Sequence, residues 1–114
     1  MSDEELLDAI KEFTQEQAGK DPKDIKENSF LEKDLGIYGD DAIEYILAFG
    51  KRFNVEVSNF MAADYFSGEG YSLRSIFKAL IGKQTEEQKQ KELSIEHLIK
   101  AIKAGRLDEE VINS

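Results

Sequence analysis

Carboxylates are the side chains in this sequence best suited to chemistry, and four of them gather in one stretch. Asp34, Asp40, Asp41 and Glu44 are of a type that can coordinate a divalent cation or share acid–base work. A calcium loop of the EF-hand type needs carboxylates at its first, third and fifth positions, and counting from Asp34 the last two are absent. Acid–base catalysis needs burial that shifts a pKa, and a helix start offers little of it. We therefore interpret the cluster as a solvated acidic face.

The other reactive residue types are sparse. The chain has no cysteine, so disulfides and thiolate metal sites are excluded. His97 is the single histidine, and its position beside Ser94 predicts a surface or helix-capping role rather than metal binding. Ser72 follows glycine and tyrosine in a stretch that predicts a helix N-cap. We expect no catalytic residue, no metal site and no enzyme activity.

Charge limits the classes of partner. The 114 residues fit one domain, and 24 acidic against 15 basic residues give a net charge of −9. Nucleic acids and anionic membrane surfaces are both bound through lysine and arginine, so neither is expected as a partner. A basic protein surface fits this charge. The acidic N-terminus does not resemble a signal peptide, and no apolar run reaches the length of a membrane span, so we expect a cytoplasmic protein.

Helical periodicity predicts the elements that hold these residues. Ser2 and Glu5 have the spacing of a capping box, and the first helix should run from about Asp3 to about Ala18, ended by Gly19. A polar loop over residues 21–33 follows, and its apolar members should reach into the core as loop residues rather than as a strand; they are Ile25, Phe30 and Leu31.

The second helix is predicted to begin near Gly39, with acidic residues at its start and basic residues at its end, as the helix dipole favours. One apolar stripe is expected to be buried, and another with two aromatic residues is expected on an adjoining face. The first stripe is Ile43, Ile46, Leu47 and Phe53, with Gly50 on the same side. The adjoining face carries Tyr45 and Phe49.

The sequence after the second helix predicts shorter secondary-structure elements. An extended link over residues 55–57 should lead to a short helix capped by Ser58, and an extra helix should lie around residues 72–82. Residues 84–93 read as a polar linker before a last helix that opens at Ser94 and closes at Gly105. The domain is predicted to span residues 1–105, and residues 106–114 to form a partly disordered tail.

Residues 34–57, DLGIYGDDAIEYILAFGKRFNVEV, resemble the central segment of acyl carrier proteins. Asp34, Leu35 and Gly36 match that family's D-L-G, and the acidic helix start, Phe53 and the extended link follow at the expected spacing. The segment looks closer still to a small uncharacterised group of bacterial carrier-like proteins with Gly-Asp-Asp-Ala at this place. The resemblance implies an all-α, carrier-protein-like bundle of about four main helices, with one extra short helix.

The prosthetic-group site departs from that family. Carrier proteins attach 4′-phosphopantetheine to the serine of an Asp-Ser-Leu triplet, and here Tyr38, Gly39 and Asp40 occupy the three positions. Gly39 has no side-chain oxygen to phosphorylate, so the resemblance implies that no phosphopantetheine is carried. The matching acidic positions, Asp41 and Glu44, together with Asp40, would be the partner-binding residues.

Three functions fit these observations. The first is a non-catalytic interaction module that presents Asp40, Asp41 and Glu44 to a basic partner. The second is a divergent acyl carrier protein of fatty acid or polyketide-type metabolism, in which a groove lined by Tyr45, Phe49 and Phe60 holds a free lipid or acyl ligand. We expect that groove to be packed shut. The third is a small acidic inhibitor, of the immunity-protein type, that covers a basic enzyme.

Overall fold

The computed structural model describes residues 2–66 and 91–114. In those residues the fold is all-α, with four helices and two single 3₁₀ turns. The helices are α1 (Asp3–Ala18), α2 (Gly39–Phe53), α3 (Ile95–Ala104) and α4 (Glu109–Ile112), and the turns are Pro22–Asp24 and Ala62–Asp64. The extra helix predicted over residues 72–82 lies outside the described residues, as does most of the predicted linker 84–93.

Helix α1 begins and ends where the sequence predicts. The Ser2 hydroxyl accepts from the Glu5 backbone N–H, and the Glu5 carboxylate accepts from the Ser2 N–H, which completes the capping box. Gly19 ends the helix in the left-handed conformation, with φ of 72°. One face of the helix packs into the core through Leu6, Ile10, Phe13 and Thr14.

Helix α2 packs on α1 with a face rotated from the predicted one. Its buried residues are Ala42, Tyr45, Ile46 and Phe49, whereas Leu47 is 59% exposed and Ile43 and Phe53 are only partly buried. The predicted stripe was therefore wrong at Leu47, and the aromatic residues placed on the adjoining face are central to the core. The rings of Phe13 and Tyr45 lie 5.0 Å apart between their centroids, so aromatic packing decides which face turns inward.

Loop residues complete the core, as predicted for Ile25 and Leu31, which are almost fully buried. Backbone hydrogen bonds then join the loop to the start of α3, because Leu31 N–H donates to the Leu93 carbonyl (2.8 Å) and Ile95 N–H donates to that of Ser29 (3.0 Å). The predicted short helix after Ser58 is reduced to the single turn Ala62–Asp64.

The tail predicted to be partly disordered is ordered. Leu107 is fully buried, and Val111 and Ile112 of α4 are 5% and 6% exposed. Glu56 N–H donates to the Gly105 carbonyl and Leu107 N–H donates to the Glu56 carbonyl, at 2.9 and 2.8 Å. The extended link after α2 therefore ties the tail to the domain, which reaches beyond the predicted end at residue 105.

Candidate functional site at the start of α2

The D-L-G turn before α2 is a structural element. The Asp34 carboxylate accepts from the Phe30 backbone N–H at 2.8 Å, and Ile37 N–H donates to the Leu31 carbonyl at 2.8 Å. Leu35 and Ile37 are buried, while Gly36 has φ of 70°, a conformation that glycine adopts without strain. The conformation and packing of these residues set where α2 begins.

Gly39 is the first residue of α2, at the position that the sequence assigns to the missing serine. It has φ of 62°, in the left-handed region that side chains with a Cβ disfavour. The preceding residue, Tyr38, stands at the N-cap and forms no side-chain capping bond. Position 39 therefore has no side-chain hydroxyl, and its backbone conformation suits glycine better than serine.

The three predicted partner-binding residues come together on the surface. Asp40 and Asp41 lie in the first turn of α2, Glu44 lies in the next turn, and all three side chains are exposed. None of them forms an ion pair with another residue in the two ranges described, 2–66 and 91–114. The site thus offers three exposed carboxylates that no described cation pairs with.

A small cavity opens beside these carboxylates, between the end of α1 and the start of α2. Its volume is about 150 Å³, and it is lined by Gln17, Ala18, Lys20, Gly36, Ile37, Asp41, Glu44 and Tyr45. Sites for small organic ligands usually reach at least about 300 Å³. The cavity is therefore too small for such a ligand, and its mixture of charges does not resemble an acyl-chain tunnel.

The residues predicted to line an apolar groove do not share one surface. Tyr45 and Phe49 are 1% and 0% exposed and pack on Phe13 of α1, whereas the Phe60 ring stacks on Tyr65 at 5.1 Å. Burial raises the pKa of the Tyr45 hydroxyl, which shares a 2.7 Å hydrogen bond with the Thr14 hydroxyl. The side chains of Tyr45 and Phe49 fill the α1–α2 interface.

Sequence reasoning missed three exposed apolar side chains, two of which belong to α2 or its N-cap. Tyr38 is 47% exposed, Leu47 59% and Met61 44%, although Leu47 was assigned to the core. The signal that could have placed Leu47 outside is the aromatic pair Tyr45 and Phe49, since a helix that buries both of these turns Leu47 away.

The remaining candidates have structural roles or lie elsewhere. His97 caps α3, because its Nδ1 accepts from the Ser94 N–H, which matches the capping role predicted for it. Ser72 lies outside the described residues. Among residues 2–66 and 91–114 there is no group of three or more histidine or acidic side chains placed to hold a metal ion. None of the described helices combines the length and apolarity that crossing a membrane requires.

Comparisons with known proteins agree with the resemblance seen in the sequence. The chain is 36% identical to an acyl carrier protein of Wolinella succinogenes over 52 residues, which cover 46% of this chain and 68% of that protein. It is 35% identical over 52 residues to an acyl carrier protein of Sulfurovum sp., covering 46% and 69%. No solved structure matches significantly. Residues 2–108 match the family described as "protein of unknown function (DUF1493)". The chain therefore belongs to that family and is related to the acyl carrier proteins.

Proposed function

We propose that this protein is a non-catalytic interaction module of carrier-protein type, which presents the acidic start of α2 to a basic surface of a protein partner in the cytoplasm. The observation that carries the proposal is Gly39, the first residue of α2, with no hydroxyl and φ of 62°. A carrier-type protein without a prosthetic group cannot carry an acyl chain covalently. The function that remains to it is to bind other proteins through its surface.

The charges of the site support this role. The acidic side chains at the start of α2 are exposed and form no ion pair with the described residues; they are Asp40, Asp41 and Glu44. A basic side chain of a partner can therefore bind them without breaking an existing ion pair. The net charge of −9 acts in the same direction at longer range. Complementary charge of this kind mainly accelerates and orients encounter, and adds less to final affinity.

The relation to acyl carrier proteins favours a second candidate, a divergent carrier that uses another serine. Mass spectrometry after incubation with coenzyme A and a broad-specificity phosphopantetheinyl transferase separates the two functions. We expect an unchanged mass for the wild type. Gly39→Ser should also be modified poorly, because the positive φ and the flanking Tyr38 and Asp40 do not suit the transferase substrate. Modification of the wild type would support the carrier instead, and peptide mapping would identify its serine.

Charge reversal tests the surface itself. The partner is identified by affinity co-purification from the native host, and association is then followed by stopped flow. The double variant Asp41→Lys/Glu44→Lys should lower the on-rate by about tenfold or more at low salt. The wild-type on-rate should fall as salt screens the exposed charges.

A matched control exists on α1. Asp8 and Glu12 are also exposed and form no ion pair with the described residues, so Asp8→Lys/Glu12→Lys changes the net charge equally at another place. Equal on-rates for the two double variants would attribute steering to net charge and reject this face. If the captured partner were a basic nuclease or toxin, the inhibitor function would replace the carrier-type module.

A further inference from the structure

The start of α3 includes a hydrogen bond to a histidine ring nitrogen. The Ser94 backbone N–H donates to His97 Nδ1 at 3.0 Å, and His97 N–H lies 3.4 Å from the Ser94 hydroxyl oxygen, forming a capping box with histidine at its third position. An Nδ1 that accepts a hydrogen bond carries no proton, so the ring is the neutral Nε2–H tautomer. If Nδ1 were protonated, its N–H would face the Ser94 backbone N–H, and two donors cannot form a hydrogen bond with each other.

This cap stands where α3 is joined to the loop before the D-L-G turn. Ile95 N–H donates to the Ser29 carbonyl (3.0 Å), Glu96 N–H donates to that of Glu27 (2.9 Å), and residues 30 and 94 form an antiparallel bridge. Together with the bond from Leu31 to Leu93, these contacts hold residues 27–31 against residues 93–96. The loop then continues through the D-L-G turn to the start of α2.

The surroundings of His97 disfavour its charged form. Its side chain is partly buried, which lowers its pKa, and the nearby Lys100 ammonium lowers it further. The Glu96 carboxylate acts in the opposite direction and is outweighed. The positive end of the α3 dipole also opposes an imidazolium at this position. On the loop packed against the helix start, Lys26 and Glu27 have exposed side chains.

We propose that His97 is a proton-sensitive latch, whose protonation breaks the Nδ1 bond to Ser94 and releases residues 27–31 from the start of α3. The consequence is a loosening of the loop that leads to the exposed face of α2, on acidification and without global unfolding. This device is independent of the proposed function, because opening of the loop is measured without a partner.

The direction in which the stability of this cap changes with pH follows from the difference between the folded and unfolded pKa of His97. The folded state holds His97 with a lowered pKa, so the bond is fully present above the ordinary histidine pKa of about 6.5 and is lost as pH falls through the folded pKa. The equilibrium constant for opening should rise by up to about tenfold for each unit that separates the two pKa values.

Amide hydrogen exchange by NMR tests the latch between about pH 7.5 and about pH 5.5, the range in which histidine titrates. After correction for intrinsic rates, exchange at Leu31, Ile95 and Glu96 should rise on acidification with the midpoint of the imidazole titration. The Val55 amide, which donates to the Gly50 carbonyl, is the internal reference and should stay unchanged. A uniform rise at all four amides would overturn the proposal, since it would report global loss of stability.

His97→Gln is the matched variant, because glutamine is a normal third residue of a capping box and does not titrate. It should keep the loop closed and remove the pH dependence. The same pH dependence in wild type and variant would overturn the proposal, as would a proton on Nδ1 at neutral pH in the imidazole ¹⁵N spectrum. If the variant does not fold, the wild-type spectrum still decides, because exchange and imidazole titration must then share one midpoint.

Discussion

Helices α2 and α3 begin in opposite ways. At the start of α3, Ser94 is buried, a capping box satisfies free amides, and backbone bonds join the helix start to loop residues 27–31. At the start of α2, Tyr38 is 47% exposed and caps nothing, and the first residue is a glycine with positive φ. The first arrangement stabilises the fold. The second has no side-chain cap and leaves the Asp40 and Asp41 carboxylates exposed.

This difference implies that α2 is held by its buried face and α3 partly by its start. Four helices begin in the described residues, and three of them have a side-chain cap, from Ser2, Ser94 and Asp108. The α2 exception coincides with Gly39, the position that the sequence resemblance aligns with the prosthetic-group serine. Local rules of stability are most often broken where a surface serves recognition, which agrees with the function proposed for this face.

Truncation of the α2 core residue should have the largest effect. Phe49 is fully buried against Phe13 and Phe53, so Phe49→Ala should lower the free energy of unfolding by about 3–5 kcal/mol. Leu47→Ala, two residues earlier on the exposed face, should change it by at most about 0.5 kcal/mol. Urea denaturation at neutral pH measures both. Similar losses for the two variants would mean that the helix is rotated from the orientation described.

The rotation of α2 is also where sequence reasoning failed, and the reason is physical. Residues 42–49 are nearly all apolar, so two overlapping stripes satisfy helical periodicity. Side-chain volume and the partner helix choose between them, because Tyr45 and Phe49 fill the space against Phe13 and Thr14. A single sequence contains the candidates for burial, but the interhelical contacts that select among them arise only in the folded chain.

Elements with local signals were predicted well. The bounds of α1 and the N-cap of α3 follow from residues within one turn of each helix end, such as Ser2 with Glu5 and Gly19. The ordered tail could not be read in this way. Leu107 is held by backbone bonds to Glu56, which is distant in sequence, and three apolar residues in nine are too few to predict a packed segment. At the candidate site, the position and exposure of the three acidic side chains could be predicted from the sequence, whereas the positive φ of Gly39 could not.

The end of α2 provides a prediction of intermediate size. A Cβ on Gly50 would lie 2.8 Å from the Val55 carbonyl oxygen and 3.2 and 3.3 Å from the Val57 methyl carbons. Helix propensity alone favours Gly50→Ala by about 1 kcal/mol, whereas overpacking costs about 1–3 kcal/mol. Because the closest atom belongs to the backbone and cannot move freely, we expect a net loss of about 1–2 kcal/mol in chemical denaturation.

Combining Gly50→Ala with Val57→Ala separates the clash with the Val57 methyl groups from the clash with the Val55 carbonyl oxygen. The double variant should recover only the part of the loss that comes from the methyl groups, and the clash with the Val55 carbonyl should remain. A Gly50→Ala variant that is more stable than wild type would show that the link after α2 can move away, and that this end of the helix is held less firmly than its buried face.

The smallest effects test the two helix starts directly, by replacing each N-cap residue. Ser94→Ala removes the hydroxyl oxygen that faces the His97 amide and leaves a partly buried donor less satisfied, so it should cost about 0.5–2 kcal/mol. Tyr38→Ala removes an exposed ring that makes no capping bond, so it should stay within about 0.5 kcal/mol of wild type. Thermal and urea unfolding of both variants measure the difference.

A loss of stability in Tyr38→Ala equal to that in Ser94→Ala would contradict the contrast between the two helix starts, because it would show that the fold depends on the start of α2 as strongly as on that of α3. A neutral Tyr38→Ala variant would instead make this position usable in binding experiments, since an effect on a partner could then be attributed to the surface and not to unfolding.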